Sequence, residues 1–163
     1  MRDLIYEAGY LITYLFCELD KIKRVDPILC KFDFHNHKTT KEFRGPLEES
    51  IPKLLDAYEE SERDSAKVIA IFPAEIKDEN KEKYNALVLI AKDFLTEQRL
   101  VLIFPYEFHK EKLYISTYEV IESINIEEEE LEKLNINFLK GALNFKECLY
   151  LWQERFIKED SLV

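Results

Sequence analysis

Four short runs of β-branched, aliphatic and aromatic residues follow one another in the centre of the chain. They cover residues 67–76, 86–91, 100–108 and 113–120, and brief polar segments separate them. Runs of this length and composition are typical of strands, and connections this short suit hairpins. We therefore predict a four-stranded antiparallel meander over residues 67–120.

The second of these strands has a helical alternative. In residues 81–98 the apolar side chains also recur at steps of three and four, as they do in an amphipathic helix. A helix there would turn the meander into a strand, helix, strand unit. The meander is the preferred interpretation, and the sequence leaves the helix open.

Helical periodicity flanks the strands on both sides. It covers residues 4–22, residues 46–63 with Pro46 of the Gly45-Pro46 turn at the first helical position, and residues 126–134 and 137–157 after Asn125, a candidate helix cap. Residues 28–37 alternate in part and predict one further strand. Helices at both ends of a run of strands indicate the α+β class, with helices packed on a central antiparallel sheet.

Length and composition favour one folded unit. A chain of 163 residues with 47% hydrophobic residues can bury a substantial core, so we predict a single α+β domain over residues 1–163 with loose last residues. Trp152 falls on the apolar stripe of the predicted C-terminal helix. We expect its indole to be buried between that helix and the sheet.

The cysteines and the apolar runs bear on the compartment. Cys17, Cys30 and Cys148 are an odd number without close spacing, and unpaired cysteines often behave as small hydrophobes. No apolar run approaches the ~20 residues of a membrane span, and the first residues go straight into a helical pattern. We expect a cytoplasmic protein that does not bind membranes.

Negative charge is concentrated in two segments of this chain. Of a net charge of -10, much comes from residues 48–64, with seven acids against Lys53 and Arg63, and from residues 119–132, with seven acids and no base. At moderate salt such clusters project a field over roughly 8–10 Å. A partner with a basic surface would be attracted to them.

These segments lead to the preferred functional interpretation, a small acidic module that binds another protein through that protein's basic surface. Tyr6, Tyr10 and Tyr14 recur at spacings of four, and tyrosine rings are favoured at interfaces. The predicted partner-binding residues are Glu59, Glu60, Glu62, Glu127, Glu128, Glu129, Glu130, Tyr6, Tyr10 and Tyr14.

In general character the chain is similar to small acidic inhibitors, including bacterial toxin immunity proteins. The simpler interpretation is that the acids only keep the protein soluble and the tyrosines only pack.

A metal-dependent hydrolase is the alternative. The segment Lys-Phe-Asp-Phe-His-Asn-His-Lys-Thr-Thr at residues 31–40 resembles the opening strand of amidohydrolases and PHP phosphoesterases. The resemblance implies that His35 and His37 point to one side of a strand toward a metal. Asp33 is a further candidate ligand of this alternative. It covers these ten residues, and the chain has one further histidine, His109.

A nuclease is the second form of this alternative. Glu75-Ile76-Lys77, at the end of an apolar strand, resembles the Glu-x-Lys element of the PD-(D/E)XK nuclease fold. The resemblance implies that Glu75 helps to hold Mg²⁺, with Asp33 or Asp64 as the upstream carboxylate, and that the lysine positions the attacking water. The net charge of -10 opposes the approach of a polyanionic substrate.

Other classes lack their sequence signatures. There is no Gly-x-Ser-x-Gly, and glycine at positions 9, 45 and 141 only leaves no glycine-rich loop for a phosphate. The basic excess in residues 21–44 is too small for a nucleic-acid footprint. We therefore predict no cofactor and no direct binding of nucleic acid.

Overall fold

The structure, a computed structural model, describes residues 1–157. Its helices are α1 (Arg2–Ile22), α2 (Leu47–Glu60), α3 (Glu128–Asn144) and α4 (Tyr150–Glu154). Its strands are β1 (Ile28–Phe32), β2 (Lys38–Glu42), β3 (Lys67–Lys77), β4 (Lys83–Asp93), β5 (Gln98–His109), β6 (Lys112–Ser116), β7 (Glu119–Ile124) and β8 (Phe156–Ile157). The predicted α+β class is confirmed. The prediction that the last few residues are loose lies outside the described residues.

All eight strands belong to one mostly antiparallel sheet, in the order β2-β1-β3-β4-β5-β6-β8, with β7 also paired to β5. The predicted meander is confirmed by the consecutive antiparallel pairs from β3 to β6. Strand β4 pairs along its length with β3 and β5, so the helical alternative for residues 81–98 is wrong. Its residues are apolar on both sides because both faces of the sheet are covered there: Leu89 packs under α1 and Ile90 lies in the cluster under α2.

Strand β5 has two partners on its outer side. Residues 106–109 pair with β6 and residues 99–103 pair with β7, so the predicted strand 113–120 is in fact two strands separated by Thr117 and Tyr118. A bulge opposite Val101 and Leu102 leaves Ile121 without a partner on β5. Strand β8 continues this edge by pairing in parallel with β6.

The predicted strand 28–37 is shorter than expected. Strand β1 ends at Phe32, residues 33–37 form a turn, and β2 returns antiparallel to β1. Strand β2 was not predicted because Lys-Thr-Thr-Lys-Glu has no apolar alternation. It lies at the exposed edge of the sheet, where lysine protects a strand from unwanted pairing.

The two faces of the sheet carry separate cores. Under α1 and α3 lie Ile69, Ile71, Leu87, Leu89, Leu102 and Phe104. Under α2 lies a smaller cluster that includes Val68, Ala70 and Ile90, packed against Leu54. Helix α2 ends at Glu60, before a short 3₁₀ turn, and not at residue 63. The apolar residues expected to form its buried stripe are Leu47, Ile51, Leu54, Leu55 and Tyr58. Of these only Leu54 is fully buried, and Leu47 is exposed.

Helices α1 and α3 touch through their backbones. A methyl group on Gly9 would lie 2.1 Å from the Phe138 carbonyl oxygen, and one on Gly141 would lie 1.8 Å from the Tyr6 carbonyl oxygen. No side chain larger than hydrogen fits at either position. The crossing therefore depends on two of the three glycines in the chain.

The C-terminal segment is less regular than predicted. Helix α3 begins after Glu127, because Asn125 adopts a left-handed conformation and is not the cap. The helix ends at Asn144, and the predicted helix 137–157 is interrupted by a 3₁₀ turn at Lys146–Cys148. Trp152 is half-buried and not fully buried as predicted: its indole N–H donates to Thr13 Oγ1 on α1 at 2.9 Å, and its ring contacts Phe138 of α3 and Phe156 of β8.

The cysteines differ from the prediction. Cys17 on α1 and Cys148 after α3 are both buried and form a disulfide, with Cα atoms 6.0 Å apart, and Cys30 stays unpaired and buried. The cysteines therefore no longer support the expectation of a cytoplasmic location. Within residues 1–157 no helix is long and apolar enough to cross a bilayer.

Asp20 holds the C-terminal segment to the end of α1. Its carboxylate accepts hydrogen bonds from the Leu113 amide at 2.9 Å and the Tyr150 hydroxyl at 2.5 Å, and Arg155 Nη1 lies 3.3 Å away. Partial burial raises the pKa of Asp20, but these three groups outweigh it and hold the pKa below its usual value. One carboxylate thus joins α1, β6 and α4.

Candidate interaction surface

The two acidic segments meet at one end of the sheet, around the turn from β4 to β5. On the face of the sheet covered by α2, Tyr58 at the end of that helix accepts a hydrogen bond from Arg99 Nε at 3.2 Å. On the face covered by α1 and α3, Glu130 in the first turn of α3 accepts a hydrogen bond from Gln98 Nε2 at 3.2 Å. Since Gln98 and Arg99 are neighbours on β5, both helix ends lie beside the same residues. We call residues 59, 60, 62 and 127–130 the acidic end.

Few of these carboxylates have a basic partner. Glu129 forms an exposed ion pair with Lys133 at 3.2 Å. No ion pair in the described part of the chain involves Glu59, Glu60, Glu62, Glu127 or Glu128, and all five are exposed. Arg99, which hydrogen-bonds Tyr58 beside this segment, is engaged by Glu122. Glu60 lines a cavity together with the bases Lys41, Arg44 and Lys53, without forming an ion pair to them within the described residues. The other four exposed glutamates without ion pairs make the acidic end a predominantly negative surface.

The two halves of the acidic end differ in what they do for their helices. Glu128, Glu129 and Glu130 occupy the first turn of α3, where the helix dipole favours carboxylates. Glu59 and Glu60 occupy the last turn of α2, where there is no base and the dipole disfavours them by about 0.3–1 kcal/mol each. Helix stability accounts for the acids of α3 and does not account for those of α2.

The tyrosine row is engaged within the molecule. Tyr10 and Tyr14 both contact Phe145 edge to face, at ring distances of 5.2 and 6.0 Å. The Tyr14 hydroxyl donates to Glu42 Oε1 at 3.1 Å, and burial, followed by the charge of Glu42, raises its pKa. The backbone of Tyr6 contacts Gly141. These residues join α1 to its neighbours, and all three side chains are half-buried.

The His-x-His pair lies in the turn between β1 and β2 and not on a strand. Asp33 Oδ1 accepts hydrogen bonds from the His35 and His37 amides at 2.8 and 2.9 Å, and Oδ2 lies 3.4 Å from His37 Nδ1. The backbone bond from His37, then that from His35, lowers the pKa of Asp33 although slight desolvation opposes it. The carboxylate therefore closes the turn, and both imidazoles are exposed.

The proposed metal ligands do not come together. Phe32, before the turn, pairs with Lys67 at the start of β3, whereas Glu75 lies eight residues further along that strand, about 26 Å away. Glu75 forms an exposed ion pair with Lys83 at 3.3 Å. His109 lies at the far end of β5 beside Glu107. Among residues 1–157 no cluster of three or more His, Cys, Asp or Glu side chains has the geometry to hold a metal.

Replacing both His35 and His37 by alanine is expected to change the free energy of unfolding by less than ~1 kcal/mol, because their backbone amides still bind Asp33. Denaturant unfolding measures this. The control Asp33→Ala should be more destabilising, since it removes the shared acceptor. Zinc binding by calorimetry that the double variant loses would contradict this structural interpretation and support a metal site.

A groove that sequence analysis did not predict lies on the face of the sheet covered by α2. No residue of α2 lines this groove, which has a volume of about 900 Å³. Its floor includes Val88, Val101, Ile103 and Pro105. The β3–β4 turn forms one wall, with Asp78 and Glu79, and residues 116–121 form the other. The only signal in the sequence is that these strands stay apolar on both sides.

The rim of this groove is mostly acidic. Asp78, Glu79 and Glu119 line it together with one base, Lys77. Partial burial, followed by the charges of Glu119 and Asp78, raises the pKa of Tyr84 inside the groove. The bulge residue Ile121 also lines it and is 57% exposed. The groove thus combines an apolar floor with a negative rim.

Comparisons with known proteins give no relative from which a role could be transferred. No protein-family model, no curated protein sequence and no solved structure matches this chain.

Proposed function

We propose that this protein is a small acidic interaction module whose acidic end binds a basic surface of another protein. An inhibitor or immunity-type protein that covers the basic site of its target is the functional class that fits this description. The observation that carries the proposal is the position of Glu59 and Glu60 at the end of α2, where they oppose the helix dipole. These two carboxylates lower the stability of α2, and binding to a partner outside the helix would explain their presence.

The meeting of both acidic segments at the β4–β5 turn supports the same proposal. Residues 59–62 and 127–130 are far apart in sequence. Tyr58, which precedes the first group, binds Arg99, and Glu130 of the second group binds Gln98, so both groups lie at the same end of the sheet. Charges gathered on one surface steer an oppositely charged partner more effectively than the same charges spread over the molecule. Tyr10 and Tyr14 are not part of the proposed surface, because both rings contact Phe145 and the Tyr14 hydroxyl donates to Glu42.

No contact in the described residues favours the metal-dependent hydrolase, so it is not proposed. The cytoplasmic location predicted from the sequence stays a proposal, without its cysteine argument. Disulfides such as that between Cys17 and Cys148 are rare in cytosolic proteins and common in oxidising compartments.

The test is the association rate with a purified partner, obtained by affinity capture from the source cells. Reversing Glu59, Glu60 and Glu62 to lysine should slow association about tenfold at low salt and reduce its salt dependence. The same variant should be as stable as the wild type or slightly more so, because two reversed charges now favour the dipole of α2.

The matched control reverses Glu107, Glu111 and Glu147, which are exposed and lie away from the acidic end. It changes the net charge equally and should slow association much less. Equal rates and equal salt slopes for wild type, acidic-end variant and control would exclude the acidic end as the binding surface. A uniform loss in both variants would show that only net charge matters.

A further inference from the structure

Strand β7, which forms part of one wall of the groove, has three features that favour the binding of another chain. The bulge places Ile121 against the groove with 57% of its surface exposed, and bulges recur where a side chain is redirected toward a site. Val120 and Ile124 on the same strand are 42% and 41% exposed. Within residues 1–157, β7 pairs only with β5, so the other edge of its backbone is unpaired. A strand with exposed apolar side chains and an unpaired edge is a site at which another chain can pair.

We propose that β7 and the groove bind an extended segment of a basic partner protein, which adds as a strand to the free edge of β7. An apolar side chain of that segment packs beside Ile121 over the groove floor. Lysine or arginine side chains on the same face of the segment meet the rim carboxylates Asp78, Glu79 and Glu119. This inference rests on the proposed function, and it adds how the basic partner is held.

Charge decides among the possible occupants. Three carboxylates against Lys77 make the rim attractive to cations, and the charges of Glu119 and Asp78 already act on Tyr84 inside the groove. A second copy of this chain would bring the same acids together, and each copy carries a net charge of -10. A basic segment gains from both parts of the site, because main-chain pairing supplies affinity and the groove selects the side chain.

The other exposed apolar stripe lacks this combination. Ile136, Leu139 and Leu143 lie on the outer side of α3 and are 56%, 42% and 46% exposed. A helix has no unpaired backbone along its side, so this stripe offers apolar area alone. Ile136 matches Ile121 in residue type and exposure, which makes it the natural control.

The probe is a fluorescent nine-residue peptide in which lysine, lysine, isoleucine, lysine and lysine alternate with threonine. In a strand, alternation places isoleucine and all four lysines on one face. Its dissociation constant is measured by fluorescence anisotropy at low salt. Ile121→Ser should weaken binding about tenfold, the effect of losing one buried aliphatic contact, whereas Ile136→Ser should leave it within about twofold.

Hydrogen exchange locates the bound peptide independently of any substitution. Strand addition should slow exchange of amides on the free edge of β7 and leave β2, the strand at the opposite edge of the sheet, unchanged. A peptide with serine in place of isoleucine should bind at least about tenfold more weakly, and one with glutamate in place of lysine should not bind. Equal affinities for the isoleucine and serine peptides, or equal effects of the two isoleucine substitutions, would overturn the inference.

Two results separate this inference from the proposed function. If the lysine peptide binds and reversal of Glu59, Glu60 and Glu62 weakens it more than Ile121→Ser does, the acidic end is supported and the groove is overturned. If the peptide binds no more tightly than about 1 mM and β7 exchange is unchanged, the groove is overturned, while the association rates of the acidic-end variants still decide the proposed function. If the protein self-associates through β7 in the absence of peptide, the edge binds a second copy of this chain, and the inference of a basic partner segment is overturned as well.

Discussion

Reduction of the Cys17–Cys148 disulfide is expected to lower the free energy of unfolding by about 3–5 kcal/mol. The bond joins residues 131 apart, and the chain entropy that such a long loop removes from the unfolded state amounts to about 5 kcal/mol, whereas measured values are typically 2–4 kcal/mol. Urea unfolding with and without a thiol reductant, and of the double variant Cys17→Ala, Cys148→Ala, measures the loss.

Cys30→Ala is the control for this experiment, because it removes a buried thiol without removing a cross-link. Its loss should be smaller, and its response to reductant should equal that of the wild type. A wild-type unfolding midpoint that does not move on reduction would contradict the stabilising role of the bond.

Replacing Gly141 by alanine is expected to destabilise the protein by about 1–3 kcal/mol. In an unhindered helix this change stabilises by about 1 kcal/mol, because alanine is the better helix former. Here the new methyl group would lie 1.8 Å from the Tyr6 carbonyl oxygen, so the helices must separate, and overpacking of this kind typically costs 1–3 kcal/mol. Gly9→Ala, with its methyl 2.1 Å from the Phe138 carbonyl oxygen, should act in the same direction.

The sign of the effect makes this test informative. Lys140→Ala, one residue earlier and exposed, should change the unfolding free energy by no more than about 0.5 kcal/mol. Thermal or urea unfolding compares the variants. A Gly141→Ala protein more stable than the wild type would show that α1 and α3 do not cross in contact.

The central strands could be predicted because their local pattern and their environment agree. Strands β3, β4 and β5 are long, apolar and separated by short polar turns, and the structure keeps all three. Only β4 was ambiguous, since Leu87, Val88 and Ala91 fit both a helix and a strand buried on two faces. The tertiary structure favours the strand, because α1 covers one face of β4 and α2 covers the other.

Elements that depend on distant contacts could not be predicted. Strand β2 is polar and exists because β1 is beside it, and the break after Asn144 lies within an uninterrupted helical pattern. The cysteine pair leaves no local trace because 131 residues separate its members. Likewise, the sequence showed two acidic segments but not that they share one end, which the positions of Gln98 and Arg99 on β5 determine.

The crossing of α1 with α3 also sets an order of events during translation. Gly9 packs against Phe138, and Cys17 bonds with Cys148, so the apolar side of α1 is completed only by residues made more than a hundred positions later. At ribosomal speeds of about 5–20 residues per second, the 131 residues between the two cysteines take roughly 7–26 s. During that interval β3, β4 and β5 can form their local hairpins. The apolar side of α1 stays partly exposed over the same time and is accessible to chaperones.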